Sequence, residues 1–325
     1  STTVFAPIVM AKLGPWNTRM AIQNAGTSPA NVEIRFISGG SVVATQSIPN
    51  LPAGASAIVD QFDHPTLSNF NGSAVISATQ PVAVTVDEYR TTGGLLVSYS
   101  ALPLSKASTT LYMPGYINAY GPWTTDFTMI NTTSSPASVQ IQFTNNQTLN
   151  CSIPPNGSLY LNPAANVYGG CTGGPLASNF YGAATVSSSQ PLVIAYNIAN
   201  TLGPGDRAIG YTAFAPSDVG QKMAVPLIEN QYSGGQWTTT FSVQVIGGGV
   251  ANLTLNYSGN LGTFSRNVTV NNAQTFNQLT DGHIPSGFLG SVTIQSDKPI
   301  AVIGDQNSLI LSGDVAAGFP GVKAP

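Results

Sequence analysis

Ser1–Thr18 reads STTVFAPIVMAKLGPWNT, and Ser108–Thr125, STTLYMPGYINAYGPWTT, lies on it without a gap, matching at Ser, Thr, Thr, Pro, Gly, Pro, Trp and Thr. A looser third copy, Met223–Thr239, keeps Pro226 and Trp237 in the same order. A chain that repeats itself in this way folds as tandem copies of one unit, which decides the architecture before any chemistry is considered. The units run roughly over residues 1–105, 106–218 and 219–325, each long enough to bury a core of its own. Trp16 to Pro81, Trp123 to Pro191 and Trp237 to Pro299 span 65, 68 and 62 residues, so length differences are confined to loops.

Within the first unit, Val32-Glu33-Ile34-Arg35-Phe36 alternates apolar and polar residues with the period of a half-buried strand. Short runs of the same kind follow at Val42–Ile48, Ala57–Val59, Ala74–Ile76, Val82–Val86 and Leu95–Tyr99, separated by Gly, Pro and Asn turns. The other units repeat this order at Val139–Phe143 and Leu253–Tyr257, at Phe180-Tyr181-Gly182 and Phe288-Leu289-Gly290, and at Gln190-Pro191 and Lys298-Pro299. With no helical periodicity, the expectation is all-β: three tandem Ig-like antiparallel β-sandwiches in an elongated rod. Pro81, Pro191 and Pro299 are expected to begin strands, where a missing N–H costs little. One Trp per unit, Trp16, Trp123 and Trp237, is expected to anchor each core, ahead of a ligand-stacking role.

Only 23 of 325 residues are charged, 7% against the usual quarter, and the net charge is −3. That leaves no basic patch for phosphate backbones and argues against nucleic-acid binding. Cys151 and Cys171 occur in the second unit alone, and their spacing suits one disulfide closing a surface loop, with two free thiols as the alternative. A disulfide implies an oxidising compartment. No apolar run reaches the length of a membrane span, and the Ser1 start suits a processed, exported protein.

Catalytic chemistry finds little footing. His64 and His283 occupy the same loop of different units, which cannot build one metal site or one triad; a contact with Asp63 or Asp281 that steadies the loop is the expectation. Asp87 and Glu88 are adjacent on a strand and point to opposite faces, whereas glycoside hydrolysis needs two facing carboxylates. A calcium site among Asp60, Asp63 and Asp87 is not required by their spacing. No catalytic residue, metal or cofactor is expected, and the chain is read as non-enzymatic. Eight Asn-x-Ser/Thr sequons, at Asn71, Asn131, Asn146, Asn150, Asn156, Asn252, Asn256 and Asn267, are candidate glycosylation sites, weighed evenly against chance in an Asn- and Thr-rich surface.

The joints carry a second pattern. The first linker, Leu102-Pro103-Leu104-Ser105-Lys106-Ala107, precedes Ser108-Thr109-Thr110, and the chain closes on Phe319-Pro320-Gly321-Val322-Lys323-Ala324-Pro325. In the register apolar-Pro-x-x-Lys-Ala, the end of one molecule set before Ser1-Thr2-Thr3-Val4-Phe5 of another reproduces the internal joint. Head-to-tail self-assembly, by stacking or by strand exchange, is the expectation from this match, with linkers left over from duplication as the alternative.

The recurring Pro…Trp-x-Thr…Val-x-Ile-x-Phe…Pro-x-Gly…Phe-x-Gly-Ser…Ser…Pro pattern resembles a repeat of secreted surface proteins of filamentous, Chloroflexus-like bacteria. Pro7, Trp16, Thr18, Val32, Ile34, Phe36, Pro52, Gly54, Phe70, Gly72, Ser73, Ser77 and Pro81 carry it here. The resemblance implies an extracellular, non-enzymatic protein and assigns no active-site residue. The leading expectation is a structural subunit of a filament, sheath or surface layer whose partner is another copy of itself. The alternative is an adhesin or carbohydrate-binding protein that meets cell-surface glycans through Tyr116, Tyr120, Tyr160 and Tyr168.

Overall fold

A computed structural model describes residues 1–92, 94–200, 207–310 and 316–324. Pro325, one of the joint candidates, lies outside the described residues. The chain is nearly all β, built of antiparallel sheets. The first repeat holds β1 (Thr3–Ala11), β2 (Trp16–Asn24), β3 (Ala30–Ser38), β4 (Ser41–Leu51), β5 (Ser56–Asp60), β6 (Phe70–Ala78), β7 (Val82–Arg90), β8 (Leu96–Ser100) and β9 (Leu102–Pro103). The second holds β10 (Ser108–Asn118), β11 (Trp123–Asn131), β12 (Ala137–Phe143), β13 (Thr148–Ile153), β14 (Ser158–Leu161), β15 (Phe180–Asn200) and β16 (Arg207–Thr212). The third holds β17 (Gly220–Asn230), β18 (Trp237–Val245), β19 (Val250–Gly259), β20 (Gly262–Asn271), β21 (Ala273–Asn277), β22 (Phe288–Ser308), β23 (Ala316–Pro320) and β24 (Val322–Lys323).

In the first repeat one sheet is ordered β4-β3-β6-β1-β9 and the other β5-β2-β7-β8. The alternation in β3 explains their union: Val32, Ile34 and Phe36 point in and meet Met20, Ile22, Val84 and Val86 of the opposite sheet in one core. The later repeats pair their strands in the same way, except that one long strand serves both sheets. The first half of β15 pairs with β10 and β12, and its second half with β11 and β16; β22 does the same in the third repeat. Pro191 and Pro299 therefore lie inside strands, at the corner where the strand changes sheets, and not at a strand start. Of these three prolines, Pro81 alone directly precedes a strand. The physical role is shared: each proline carbonyl accepts a backbone N–H, from Ala25, Thr132 and Ile246, and at a corner no ladder asks for the proline's own N–H.

The repeated motif residues shape each sandwich locally. Thr18, Thr125 and Thr239 are buried, and their hydroxyls accept the N–H of Met10, Ile117 and Glu229, just beyond the strand irregularity beside Pro7, Pro114 and Pro226. Gly72 and Gly290 leave room for a backbone carbonyl, of Ile37 and Ser258, that a Cβ would strike. The tryptophans meet the expectation in part, since Trp16 and Trp123 pack against the edge of their own cores. Trp16, Trp123 and Trp237 are each half-buried, closing the hairpin between the first two strands, while the core centres are filled by Phe36, Phe143 and Tyr257.

Candidate functional site: the junctions between repeats

Matching strand register across the repeats aligns Val86 with Tyr196 and Gly304, and hence Asp87 with Asn197 and Asp305. In this frame both junctions use the same surfaces. The front of one repeat, made of the outer face of its first sheet and the inner face of its closing strand, receives the outer face of the next repeat's second sheet. At the first junction Phe5, Ile37, Val75 and Leu102 enclose Ile130 and Val193, and Leu95 and Val97 enclose Ala208. Ala195 joins the core of the first repeat, and Ala301 and Ile303 join that of the second. The cores thus run into one another.

Glycine makes the approach possible. A Cβ on Gly210 would lie 2.6 Å from the Val97 side chain, and one on Gly318 would strike Ile209 and Tyr211. Val97 and Ile209 are equivalent, as are Gly210 and Gly318, so the same close contact is made twice. The second junction is more polar than the first. Gln244 Nε2 donates to Ala184 O at 3.1 Å and Thr185 Oγ1 at 3.0 Å, and Tyr211 donates to Gly304 O at 3.1 Å. At the linkers, Lys106 pairs with Asp218 at 2.5 Å and Lys323 donates to Ser217 O at 2.7 Å.

Each junction also leaves a cavity at its rim, of about 370 Å³ at the first and about 320 Å³ at the second. Equivalent positions line them: Met10 and Ile117, Leu13 and Tyr120, Trp16 and Trp123 from the front repeat, then Asp126 and Thr240, Tyr160 and Thr275, Asn197 and Asp305 from the next. Glu88 is fully buried at the first cavity, where Asn197 Nδ2 donates to its Oε2 at 2.8 Å. Desolvation, helped by the nearby Asp126, pushes its carboxyl well above the usual range. Burial likewise pushes Asp126 up to about 6 and Asp305 up to about 7, each opposed in part by a hydrogen bond, from Tyr160 and Asn307 respectively.

The sequence-derived candidates fall in several places. Cys151 and Cys171 form a disulfide between β13 and the loop that follows β14. Among the sequons, Asn131 is fully buried with its amide donating to Ser135 O and Pro154 O, so a glycan there would require unfolding. Asn71 is half-buried on the rim of the first cavity. Asn146, Asn150, Asn156, Asn252, Asn256 and Asn267 are exposed, the last three on the outer face of β19 and β20, above buried Leu253, Leu255 and Tyr257.

His64 accepts from the Thr66 and Leu67 amides and packs on Phe36, and His283 packs on Tyr257; Asp281 pairs instead with Arg266. The expected steadying contacts with Asp63 and Asp281 are replaced by ring packing on the core. Asp60 accepts from Tyr89, and Asp87 pairs with Arg19. Among the described residues no three acidic, His or Cys side chains gather as metal ligands. Of the four tyrosines singled out, Tyr116 is core and Tyr168 braces the disulfide loop through Leu176 N, whereas Tyr120 and Tyr160 line the two cavities.

Both ends of the chain belong to their own repeats. Ser1 O and Thr2 O accept from Val82 N and Ala78 N, while Val4 and Phe5 are buried in β1. Phe319 and Pro320 lie in β23, β24 pairs with β17, and Ala324 N donates to Lys222 O. Val322 faces Ala224 as Leu102 faces Phe5, so Lys323 takes the place of Pro103. The Lys-Ala match between linker and C-terminus is therefore three residues out of structural register. The strand pairing follows the closing-strand aromatic, Tyr99, Tyr211 or Phe319, three residues before Leu102, Phe214 or Val322.

Comparison with known proteins adds no family. No family model matches the chain, and no curated protein does. Among solved structures, the crystal structure of Thermotoga maritima 1070 is similar over 32% of this chain and 94% of its own, at 13% identity and a TM-score of 0.26. A structure concerned with host cell surface retention of a 1.5-MDa bacterial ice-binding adhesin covers 98% of this chain and 95% of its own, at 12% identity and a TM-score of 0.14. Likeness at this level says nothing of function, which is read from the junctions. Among the described residues no helix is long and apolar enough to cross a membrane.

Proposed function

We propose that the protein is a non-enzymatic structural subunit of an extracellular filament, sheath or surface layer. In this reading three Ig-like sandwiches in series make an elongated rod, and copies join head to tail through the surfaces that already join the repeats. The observation that carries it is the heterologous character of both junctions, front on back each time, because such a contact repeated between copies builds open polymers wherever its rotation does not close a ring. One back surface, on the first repeat, and one front surface, on the third, are left uncovered in this chain.

Those two surfaces carry residues matched to a junction. Gln23 stands where Gln244 stands and Thr293 where Thr185 stands, so the hydrogen bond seen within the chain has both its partners at the ends. Exposed Ser98 takes the place of Gly210 and Gly318, and exposed Ala317 the place of Val97 and Ile209, adding bulk on one side and removing it from the other. Arg19 on the back, paired with Asp87, stands where Asp126 and Thr240 stand, and Glu229 on the front where Met10 and Ile117 stand, which brings charged groups to one rim. The front of the third repeat has Ala224, Ser258, Thr293 and Val322 in place of Phe5, Ile37, Val75 and Leu102. A contact between molecules is therefore weaker and wetter than one within the chain, and the free subunit stays soluble.

Surface stacking, and not exchange of terminal strands, is the mode this reading uses, since the strands at both ends are already paired at home. The disulfide suits an oxidising, extracellular location, and the exposed sequons would carry glycans in a host able to add them. Electron microscopy of the purified protein under polymerising conditions is the test. Polymers are expected from the wild type, and Ser98→Trp, which puts a large side chain where the internal junctions need glycine, is expected to abolish them and to shorten wild-type polymers when added in small amounts. Unchanged polymers of Ser98→Trp would contradict the proposed contact.

A further inference from the structure

The rim cavities recur at both junctions from the same positions. Recurrence of a void is itself informative, because protein interiors are close-packed and a mere defect has no reason to appear twice in one register. Their linings also share a chemistry. Each offers an aromatic wall, Trp16 in the first cavity and Trp123 with Tyr120 and Tyr181 in the second. The same linings hold buried oxygen acceptors that have no partner: Glu88 Oε1 and Asn197 Oδ1 in the first, Asn307 Oδ1 in the second. An unpaired buried acceptor is costly, on the order of 1–3 kcal/mol, so an occupant that donates hydrogen bonds is favoured.

We propose that the two junction cavities are binding sites for the pyranose ring of a neutral glycan. Such a ring has an apolar C–H face to lie on an aromatic side chain and hydroxyl edges that donate to carboxyl and amide oxygens. Both demands of the lining are met by one molecule. The size suits it as well, since both cavities fall at the low end of ordinary small-ligand sites, roughly 300–1,000 Å³. A cationic ligand is the less suitable occupant, because an arginine stands among the acids of each cavity: Arg90, over the Trp16 ring, in the first and Arg207 in the second. The two sites lie one repeat apart in the chain. This inference concerns contacts inside one chain and does not depend on head-to-tail assembly.

The test uses the full chain with the methyl glycosides of mannose, glucose and galactose, followed by saturation-transfer NMR and tryptophan fluorescence. Transfer to the ring C–H protons of at least one glycoside is expected, with a change in tryptophan emission. Glu88→Gln reports on the first cavity with its shape kept, and Tyr120→Ala on the second, where the ring is exposed enough to be removed without disturbing a core. Combined, they are expected to weaken binding about fivefold or more, the loss that accompanies removal of a hydrogen bond between neutral groups. Absence of transfer to all three glycosides overturns the proposal, as does binding of spermidine without any glycoside. Binding that survives both substitutions unchanged overturns the assignment to these cavities.

Discussion

Thr18, Thr125 and Thr239 show what the Trp-x-Thr motif is for at the level of single residues. The threonine hydroxyl accepts a buried strand N–H that the irregularity at the neighbouring proline leaves unpaired. Thr18→Val, which keeps the shape and removes the acceptor, is expected to cost about 1–3 kcal/mol in a denaturant titration, against a negligible effect for an exposed threonine such as Thr85. The tryptophan beside it was legible as a repeat marker but not as a rim residue, because a large aromatic near a strand start reads the same whether it faces its own core or the neighbouring repeat. Acidity offers a second check. Burial holds the Asp305 carboxyl at about 7, above an unfolded value of about 3.9. The folded chain thus keeps the proton more readily, and the stability gained is present in acid and lost as pH rises from about 4 through about 7. Asp126 and Glu88 act in the same direction. Asp305→Asn is expected to gain in melting temperature on the wild type as pH is raised from 5 to 8; a difference that does not change with pH would contradict the buried, protonated carboxyl.

At the scale of elements, the strands themselves were open to reading from the sequence. Val32-Ile34-Phe36 and Leu253-Leu255-Tyr257 alternate, and both runs bury those residues. The breaks were less legible. Gln190-Pro191 and Lys298-Pro299 look like strand starts, yet each lies within a strand of 21 residues, since a proline interrupts a ladder only where its N–H is needed. The C-terminal register was misread because Lys-Ala repeats by sequence, while pairing is set by the closing-strand aromatic and its fixed distance to the next strand. The disulfide joins residues 20 apart, the edge strand β13 and the loop that follows β14. Its reduction is expected to lower stability by about 3 kcal/mol from loop entropy, measured as a shift in denaturation midpoint with and without reductant. The sequons divide by burial as well. In a glycosylating host, mass spectrometry of peptides should find Asn252, Asn256 or Asn267 modified and Asn131 bare, and a glycan on Asn131 would contradict the buried amide.

At the scale of the whole molecule, the repeats are joined by surfaces rather than by linkers alone. Ala195, Ala301 and Ile303 belong to the core of the repeat before their own, which no alternation pattern reveals, since each sits on the outward side of its strand. The matching of Gln23 with Gln244 and of Thr293 with Thr185 was likewise hidden, because it depends on strand register across repeats that share little sequence there. It is also the most direct way to test the account. Gln23→Cys and Thr293→Cys, placed in separate copies and mixed under mild oxidation, are expected to form a disulfide between the two kinds of copy in large excess over pairs of either kind alone. Putting both substitutions in one copy should give a ladder of covalent multimers. Cross-links no more frequent in the mixture than in either copy alone would contradict a front-on-back contact between molecules, and with it the head-to-tail subunit.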